Sequence, residues 1–425
     1  MSALAIFGGA PALAEPLSKY RSVGERERQA VIEVIDSGCL SGFYGDWGPE
    51  FLGGPKVQAF EAAWSKQFAC AHTVSVNSAT SGLFAAVGAA NVGPGDEVIV
   101  PPYTMSATAM APLVYGGIPV FVDIEPETYC LDPELVRQAI GPRTRAIIVV
   151  NLFGHPAQLA ELRALADQHG LILIEDNAQG PLAMEGGKYA GTIGDIGIFS
   201  LNYHKHIHTG EGGMCVTDDE ILARRLQAVR NHGENVIGVA ELGDFSNIVG
   251  FNYRMTELSA AVGLAQLSDA ERHVMTRQGL AEALSEGLAD LEGVTVPTVR
   301  DGCRHVYYTW SARLDAATLG VSRETFCRAL LAEGFPIYAG YVKPLYELPV
   351  FQQRRAFGRD GYPFNLTERQ YHEGLCPVAE RMHNHELVFF ETCAFDVGDQ
   401  QLEELIAAFR KVHANRHELT QLNSQ

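Results

Sequence analysis

Short apolar runs alternate with helical patterns in the first half of the chain, and this alternation limits the fold more than any other feature. Four runs have the apolar, β-branched composition of buried strands, at residues 97–101, 119–124, 146–151 and 171–175. Helical spacing occupies the intervals, for example over residues 158–168. The pattern predicts an α/β fold in which helices cover both faces of a mostly parallel sheet.

The length of the chain indicates more than one domain. With 425 residues, 47% of them hydrophobic, the chain can bury a large core and is too long for one compact unit. We expect an N-terminal arm over residues 1–24, a large domain over 25–274 and a smaller α+β domain over 275–425. The smaller domain is predicted from a strand pattern at 306–314 and helical patterns at 323–333 and 399–414.

Charge and cysteine content exclude several classes of partner. The formal net charge of −19 disfavours nucleic acids and anionic membranes, which bind basic surfaces. No apolar run approaches the length of a membrane span. The eight cysteines are scattered without a CxxC motif, which favours free thiols in a reducing cytoplasm over a disulfide framework or a zinc site.

One lysine stands out among the seven in the chain. Lys205 follows the apolar run 196–199, which is typical of a buried strand, and precedes a glycine cluster at 210–213. Glycine lets the backbone turn sharply or approach a bound group closely. The other six lysines lie in polar, helical or turn-like contexts, so Lys205 is predicted to enter a cleft, although a lone loop lysine is more often a surface residue.

Two further features are predicted at strand ends. The polar segment Asn77-Ser-Ala-Thr-Ser-Gly-Leu83 lies where a strand passes into a helix, so its unpaired amides and the Thr80 hydroxyl suit a phosphate. An ordinary helix N-cap is the alternative interpretation. Asp176 ends another strand, where it either caps the next turn or faces a ligand in the same crevice as Thr80 and Lys205.

A lysine, a carboxylate and a phosphate cradle are together the groups that bind pyridoxal 5'-phosphate. The lysine amine must be neutral to attack the cofactor, which requires a partly desolvated position. The carboxylate keeps the pyridine nitrogen protonated, so that the ring accepts electrons from the substrate carbon. The sequence therefore predicts a pyridoxal-phosphate enzyme.

Three motifs resemble one known family. Ser200-x4-Lys205-x4-Gly-Glu-Gly-Gly213, Glu175-Asp-Asn-Ala-Gln179 and Asn252-Tyr-Arg-Met255 occur in the order found in DegT/DnrJ/StrS-type aminotransferases, which aminate keto-sugars and keto-cyclitols. The likeness extends from about residue 38 to 267. It implies a fold type I aminotransferase and an active-site lysine motif around Lys205.

The resemblance also implies residue roles. Lys205 would be the Schiff-base lysine and proton carrier, Asp176 would pair with the ring nitrogen, and Gln179 would lie near the ring face or its hydroxyl. Phosphate contacts are expected from Thr80, Ser81 and Ser200. Asn252 would reach the phosphate bound by a neighbouring subunit, which implies a homodimer with shared active sites.

Some positions depart from the family pattern. The chain has Ser78-Ala-Thr-Ser-Gly-Leu83 where the family commonly has Asn-Gly-Thr-Asp-Ala-Leu, and it has Met105 where an aromatic residue is common. Met105 could cover one face of the cofactor ring by dispersion, or Tyr103 could approach instead. His204, His206 and His208 alternate around Lys205. Contact with substrate hydroxyls or phosphates is favoured over zinc binding, because no cysteine or carboxylate completes a closed site nearby.

The predicted function is transfer of an amino group from glutamate or glutamine to a keto-sugar, free or nucleotide-linked, or to a keto-cyclitol. A sugar dehydratase on the same fold is one alternative, but enzymes of that kind carry histidine where this chain has Lys205. A non-catalytic regulator on the same scaffold is the other. It would not need an intact lysine, aspartate and phosphate site.

Overall fold

The computed structural model describes residues 4–240 and 242–424. The α-helices of this part of the chain are α1 Glu25–Ser37, α2 Pro55–Phe68, α3 Ala79–Ala89, α4 Ala107–Val114, α5 Pro133–Ala139, α6 Leu159–His169, α7 Glu220–Arg230, α8 Glu257–Leu267, α9 Ala270–Leu288, α10 Ala316–Leu319, α11 Arg323–Ala332, α12 Pro349–Gln352, α13 Pro377–Arg381 and α14 Asp399–Ala414. The strands are β1 Ser18–Lys19, β2 His72–Val76, β3 Glu97–Val100, β4 Ile118–Phe121, β5 Thr144–Val150, β6 Ile172–Asp176, β7 Met184–Glu185, β8 Lys188–Tyr189, β9 Ile196–Ser200, β10 Gly213–Thr217, β11 Val294–Thr295, β12 Cys303–Arg304, β13 Trp310–Leu314, β14 Ile337–Ala339, β15 Leu387–Phe390 and β16 Phe395–Asp396.

A seven-stranded sheet forms the centre of the molecule, in the order β2-β10-β9-β6-β5-β3-β4. Strand β10 runs antiparallel to both of its neighbours, and the remaining pairs in the sheet are parallel. The inner strands are almost wholly buried because helices cover both faces, which explains their continuous apolar composition. The predicted α/β architecture with a mostly parallel sheet is confirmed.

A second, antiparallel sheet with the order β11-β13-β15-β14 lies in the C-terminal part. Helices α9, α11 and α14 pack against it and build a separate hydrophobic core. Its strand β13 is shorter than the predicted strand at 306–314, because Tyr307 has a φ of 49° and so interrupts the extended backbone before Trp310.

The two hydrophobic cores do not follow the order of the chain strictly. Leu4 and Leu13 of the arm join the C-terminal core, where the Glu333 side chain accepts hydrogen bonds from the backbone N–H groups of Ala5 and Ala12, at 2.8 and 2.9 Å. Conversely, buried side chains between residues 345 and 387 pack into the core of the large sheet. Division of the chain at residue 274 stays a prediction. None of the helices in residues 4–240 and 242–424 is long and apolar enough to cross a membrane.

Candidate active site

A cleft opens at the carboxyl ends of β6 and β9, beside the N-terminus of α3. It contains roughly 790 Å³ of space free of protein atoms, part of it open to solvent. Parallel strands bring their carboxyl ends to one edge of a sheet, so residues far apart in sequence meet there. The predicted site residues in its wall are Thr80, Met105, Asp176, Gln179, Ser200 and Lys205.

Lys205 is buried in this wall, with 8% of its surface exposed. Its Nζ atom lies 4.0 Å from the centre of the Tyr308 ring, within the range of a cation–π contact. Burial lowers the pKa of the Lys205 amine to about 8, and the nearby Asp176 carboxylate opposes this effect only in part. A substantial fraction of the amine is therefore neutral near physiological pH, as a nucleophilic lysine requires.

Asp176 ends β6 and faces the same cleft. Its carboxylate accepts hydrogen bonds from Thr108 Oγ1 at 2.8 Å and from the Ala178 backbone N–H at 3.2 Å. Burial raises the pKa of Asp176, while these two hydrogen bonds and the charge on Lys205 oppose the rise. Among the described residues the Asp176 and Lys205 side chains form no ion pair within 4.0 Å, so both charged groups remain available to a ligand.

The preceding residue, Glu175, has a different environment although it is also buried. Its carboxylate accepts hydrogen bonds from the backbone N–H groups of Gly191, Ile193 and Gly194, at 2.5–2.7 Å. These contacts fix the loop that leads into β9. Since side chains alternate along a strand, Glu175 points away from the cleft that Asp176 faces.

Gln179 is held by two hydrogen bonds at the edge of the cleft. Its Oε1 accepts from the Phe153 backbone N–H at 2.7 Å, and its Nε2 donates to the Tyr341 hydroxyl at 3.0 Å. Tyr103 lies behind this pair, where its hydroxyl accepts from the Tyr341 backbone N–H at 2.8 Å. Tyr103 is fully buried and outside the cleft wall, whereas Met105 lines the wall with 61% of its surface exposed.

Helix α3 begins at the cleft with Ser78 as its N-cap. The Ser78 hydroxyl accepts from the Ser81 N–H at 3.0 Å, and Ser81 Oγ donates to Asn77 Oδ1 at 2.6 Å. Thr80 and Ser200 line the wall, whereas Ser81 lies outside it. Asn252 also lies outside the wall and is exposed to solvent. The predicted phosphate contacts of Ser81 and Asn252 stay predictions.

The three histidines around Lys205 diverge. His204 lines the cleft, His206 is buried with Nε2 2.7 Å from the Val306 carbonyl oxygen, and His208 Nε2 lies 2.8 Å from Ser22 Oγ. No cluster of three potential metal ligands occurs in the described part of the chain.

The donor set of the cleft fits pyridoxal phosphate. It combines an amine with a lowered pKa, a carboxylate at a strand end, and a helix N-terminus flanked by the Thr80 and Ser200 hydroxyls. Gly213 keeps the start of α3 close to β10, because a Cβ at this position would lie 2.7 Å from the Ala79 backbone nitrogen. These groups match the aldehyde, the ring nitrogen and the phosphate of the cofactor in turn.

Several wall residues were missed by the sequence prediction. Tyr308 and Tyr341 come from the C-terminal half, and Asn202 and Glu211 flank the lysine. Thr108, the hydrogen-bond donor to Asp176, was also missed. The only signal for Tyr341 was its place in an irregular stretch rich in proline and aromatic residues. Tyr308 gave no signal, because it lay inside an apparent strand.

Comparison with known proteins gives consistent matches. The model of the DegT/DnrJ/EryC1/StrS aminotransferase family matches residues 23–388. An L-glutamine:2-deoxy-scyllo-inosose aminotransferase of Streptomyces kanamyceticus is 34% identical over 433 residues, which cover 98% of each chain. A GDP-perosamine synthase of Caulobacter vibrioides is 36% identical over 72% of this chain and 79% of its own. The crystal structure of DesI in the presence of its TDP-sugar product matches with a TM-score of 0.82 and 31% identity, over 99% of both chains.

Proposed function

The chain belongs to the DegT/DnrJ/EryC1/StrS aminotransferase family, and we propose that it transfers the amino group of glutamine or glutamate to the ketone carbon of a keto-sugar or keto-cyclitol. It is a pyridoxal-phosphate-dependent aminotransferase of fold type I, as the sequence predicted. The observation that carries the proposal is the buried Lys205 amine, which shares one cleft with the Asp176 carboxylate and the N-terminus of α3.

Each part of the cleft has a task toward the cofactor. Asp176 would hold the ring nitrogen, Lys205 would attach the cofactor covalently, and the start of α3 with Thr80 and Ser200 would hold the phosphate. When bound, pyridoxal phosphate supplies an electron sink that stabilises negative charge on the substrate carbon next to the transferred nitrogen. The protein contributes the positions and the protonation states of these groups.

Lys205 also suits proton transfer. A group exchanges protons most efficiently when its pKa lies near the working pH, and the pKa of Lys205 is about 8. The Tyr308 ring, 4.0 Å from Nζ, restricts where the amine can swing. The Lys205 amine would therefore remove the proton from the donor carbon that loses its amino group and, in the second half-reaction, deliver a proton to the acceptor carbon that gains it, with bulk water largely excluded by burial.

The substrates are proposed from the relatives. The Streptomyces kanamyceticus protein is named for L-glutamine and 2-deoxy-scyllo-inosose, and its likeness covers 98% of each chain. The Caulobacter vibrioides protein is named for a GDP-linked amino sugar. Both names describe a polyhydroxylated ring that gains an amino group, which supports a ring ketone as the acceptor here.

We further propose a homodimer in which Asn252 contributes to the phosphate site of the partner subunit. Asn252 is exposed and pairs in a β-bridge with Asn231, whose side chain donates to the Tyr44 carbonyl at 2.8 Å. The exposed side chain of Tyr44 next to this bridge supports a contact surface. Mixing Lys205→Ala and Asn252→Ala chains would then restore roughly a quarter of the sites to wild type, by two-fold symmetry.

The free cysteines of the described residues support a cytoplasmic setting.

Transfer of labelled nitrogen tests the proposed function. Purified enzyme with pyridoxal phosphate is given glutamine carrying ¹⁵N in its α-amino group, together with one of a panel of keto-sugars and keto-cyclitols. We expect mass spectrometry to find the label on one ring product, and Lys205→Ala to abolish it. If the cofactor is bound and none of the ring ketones gives a labelled amino product, the proposal is contradicted.

A further inference from the structure

The lysine loop, residues 201–212, connects β9 to β10 and carries Lys205 in its outer part. The structure describes all of these residues, and none of them belongs to a helix or a strand. Backbone hydrogen bonds close the loop near its base, where the Leu201 N–H donates to the Gly212 carbonyl and the Thr209 N–H donates to the Leu201 carbonyl, both at 2.9 Å. The position of the outer part therefore depends on side-chain contacts with other segments.

His206 makes one of these contacts, next to Lys205 in sequence. Its side chain is buried, and its Nε2 donates to the Val306 carbonyl oxygen at 2.7 Å. The other ring nitrogen, Nδ1, is buried and has no hydrogen-bond partner among residues 4–240 and 242–424. Burial lowers the pKa of His206 to about 3, so the ring is neutral and carries its single proton on Nε2. The bond to Val306 therefore persists throughout the physiological pH range.

The segment that accepts this bond is itself fixed. The Val306 N–H donates to the Gly154 carbonyl at 3.0 Å, and the Tyr308 N–H donates to the Phe153 carbonyl at 2.8 Å. The two segments pack closely, because a Cβ at Gly154 would lie 2.9 Å from Val306 Cγ2. On the other side, Thr392 Oγ1 donates to the Tyr308 carbonyl at 3.1 Å. His206 thus connects the irregular lysine loop to a rigid part of the molecule.

Tyr308 meets three consecutive residues of the lysine loop. Its ring centre lies 4.0 Å from Lys205 Nζ, and 6.0 and 6.5 Å from the centres of the His204 and His206 rings. Consecutive Cα atoms are only about 3.8 Å apart. A bond from His206 to Val306 therefore holds the Lys205 backbone beside the segment that carries Tyr308.

Resting on the proposed function of Lys205, we propose that His206 is a positioning residue, whose hydrogen bond to the Val306 carbonyl holds the Lys205 amine against the Tyr308 ring in the buried part of the cleft. A lysine amine is carried on a flexible stem of four carbons, so the backbone position decides how far the amine can extend toward solvent. Without this bond the loop would move outwards. Hydration of the amine would then favour its charged form.

Trace acetylation of the apoenzyme tests this inference without any assay of amino transfer. Acetic anhydride is applied from about pH 6 to about pH 11, and mass spectrometry compares the Lys205 peptide with that of the exposed Lys188 as internal reference. The midpoint of the pH profile reports the protonation of the Lys205 amine, whereas access of the reagent changes only the plateau. We expect a midpoint of about 8 in the wild-type enzyme.

His206→Leu removes the donor and should raise this midpoint to about 9, because the amine becomes hydrated. At pH 7 the neutral fraction of Lys205 would then fall about tenfold. The other groups whose charges act on Lys205 are Asp176, Cys393 and Glu391, and they are unchanged in the variant. If His206→Leu does not fold, His206→Asn takes its place, since its shorter amide extends less far toward Val306.

Two further variants separate the hydrogen bond from the general cost of a buried substitution. His206→Gln keeps an N–H donor of similar length and should return the midpoint toward 8. Tyr371→Phe is the matched control, because the buried Tyr371 hydroxyl donates to the Pro119 carbonyl at 2.9 Å, on the edge strand β4. It loses a bond of the same kind away from the cleft and should leave the midpoint unchanged.

Three results would overturn the role of His206. They are an unchanged or lowered midpoint in a folded His206→Leu or His206→Asn enzyme, an equal rise in Tyr371→Phe, and a rise that persists in His206→Gln, which would trace the effect to ring volume. Absence of amino transfer by the wild-type holoenzyme would instead refute the proposed function. The acetylation profile would still decide whether His206 positions Lys205.

Discussion

Two groups of residues meet in the cleft, and they are built differently. The strand-end group consists of Thr80 in the first turn of α3, Asp176 at the end of β6 and Lys205 in the loop after β9. The aromatic pair consists of Tyr308 and Tyr341, which lie outside regular strands. Tyr308 contacts Lys205 Nζ, and the Tyr341 hydroxyl accepts a hydrogen bond from Gln179 Nε2. The charged groups that react lie on the rigid scaffold, whereas the aromatic side chains shape their surroundings. Substitutions in the two groups should therefore have unequal effects.

The largest effect is expected from Lys205→Ala. Loss of the group that binds the cofactor and moves the proton should lower kcat by about 10³-fold or more, since general acid–base catalysis alone contributes roughly 10²–10⁴-fold. Assays of amino-group transfer, quenched at fixed times, measure this loss. Borohydride reduction of the holoenzyme should label the peptide that contains Lys205.

Lys188 is the matched control for this prediction. It is exposed at the start of β8, so Lys188→Ala should retain activity and cofactor labelling. Labelling of the Lys188 peptide in the wild-type enzyme would contradict the role of Lys205.

Asp176→Asn should have the next largest effect, a fall in kcat of about 10²-fold with the cofactor still bound. An amide cannot stabilise a protonated ring nitrogen as a carboxylate does, and loss of one such electrostatic contact in an active site costs about this much. The adjacent Glu175 offers a sharp contrast. Glu175→Gln should lower the free energy of unfolding by about 1–3 kcal/mol, because backbone N–H groups lose an acceptor. If Asp176→Asn lost only stability, both carboxylates would be structural.

The strand-end group was predictable because its signals are local. An apolar run followed by a polar residue identifies a strand end, and alternating strands and helices imply that such ends meet at one edge. The sequence therefore predicts Asp176, Lys205 and Thr80 in one cleft, and all three line its wall. The bounds of the central strands were also predicted to within a few residues, since buried parallel strands are continuously apolar.

The aromatic pair was not predictable for a physical reason. Tyr308 follows a residue with φ of 49°, a backbone conformation that apolar periodicity does not reveal. Tyr341 reaches the cleft through contacts with Tyr103 and Gln179, which are 238 and 162 residues away in sequence. The family resemblance implies a phosphate contact for Ser81. Its hydroxyl donates locally to Asn77 Oδ1, and the phosphate contact stays a prediction.

The lowered pKa of Lys205 leads to a pH dependence of cofactor capture, an effect of intermediate size. Only the neutral amine attaches the cofactor, so the rate of cofactor capture by apoenzyme should rise about tenfold from pH 7 to pH 9 and level off above its pKa of about 8. Stopped-flow absorbance measures this rate. A lysine with the ordinary pKa of 10.5 would show no plateau below pH 10, and that result would contradict the burial argument.

The same pKa has a consequence for apoenzyme stability. Because the pKa is lowered on folding, the unfolded chain binds more protons at this lysine between pH 8 and 10.5. The contribution of Lys205 to the free energy of unfolding therefore increases with pH in that interval. Lys205→Met should remove this component of the pH dependence.

The smallest effect is expected from Tyr341→Phe. The substitution removes the hydroxyl that accepts from Gln179 Nε2 but keeps the ring and the backbone N–H that donates to Tyr103. One uncharged hydrogen bond is worth about 1 kcal/mol, so kcat/KM should fall about fivefold while the cofactor remains bound. Tyr338→Phe, in the neighbouring strand β14 and exposed, serves as the control and should match wild type. Steady-state kinetics on both variants decide the point. A loss of 100-fold or more in Tyr341→Phe would show that this tyrosine takes part in the reaction. The distinction between a strand-end group that reacts and an aromatic pair that only shapes the cleft would then be wrong.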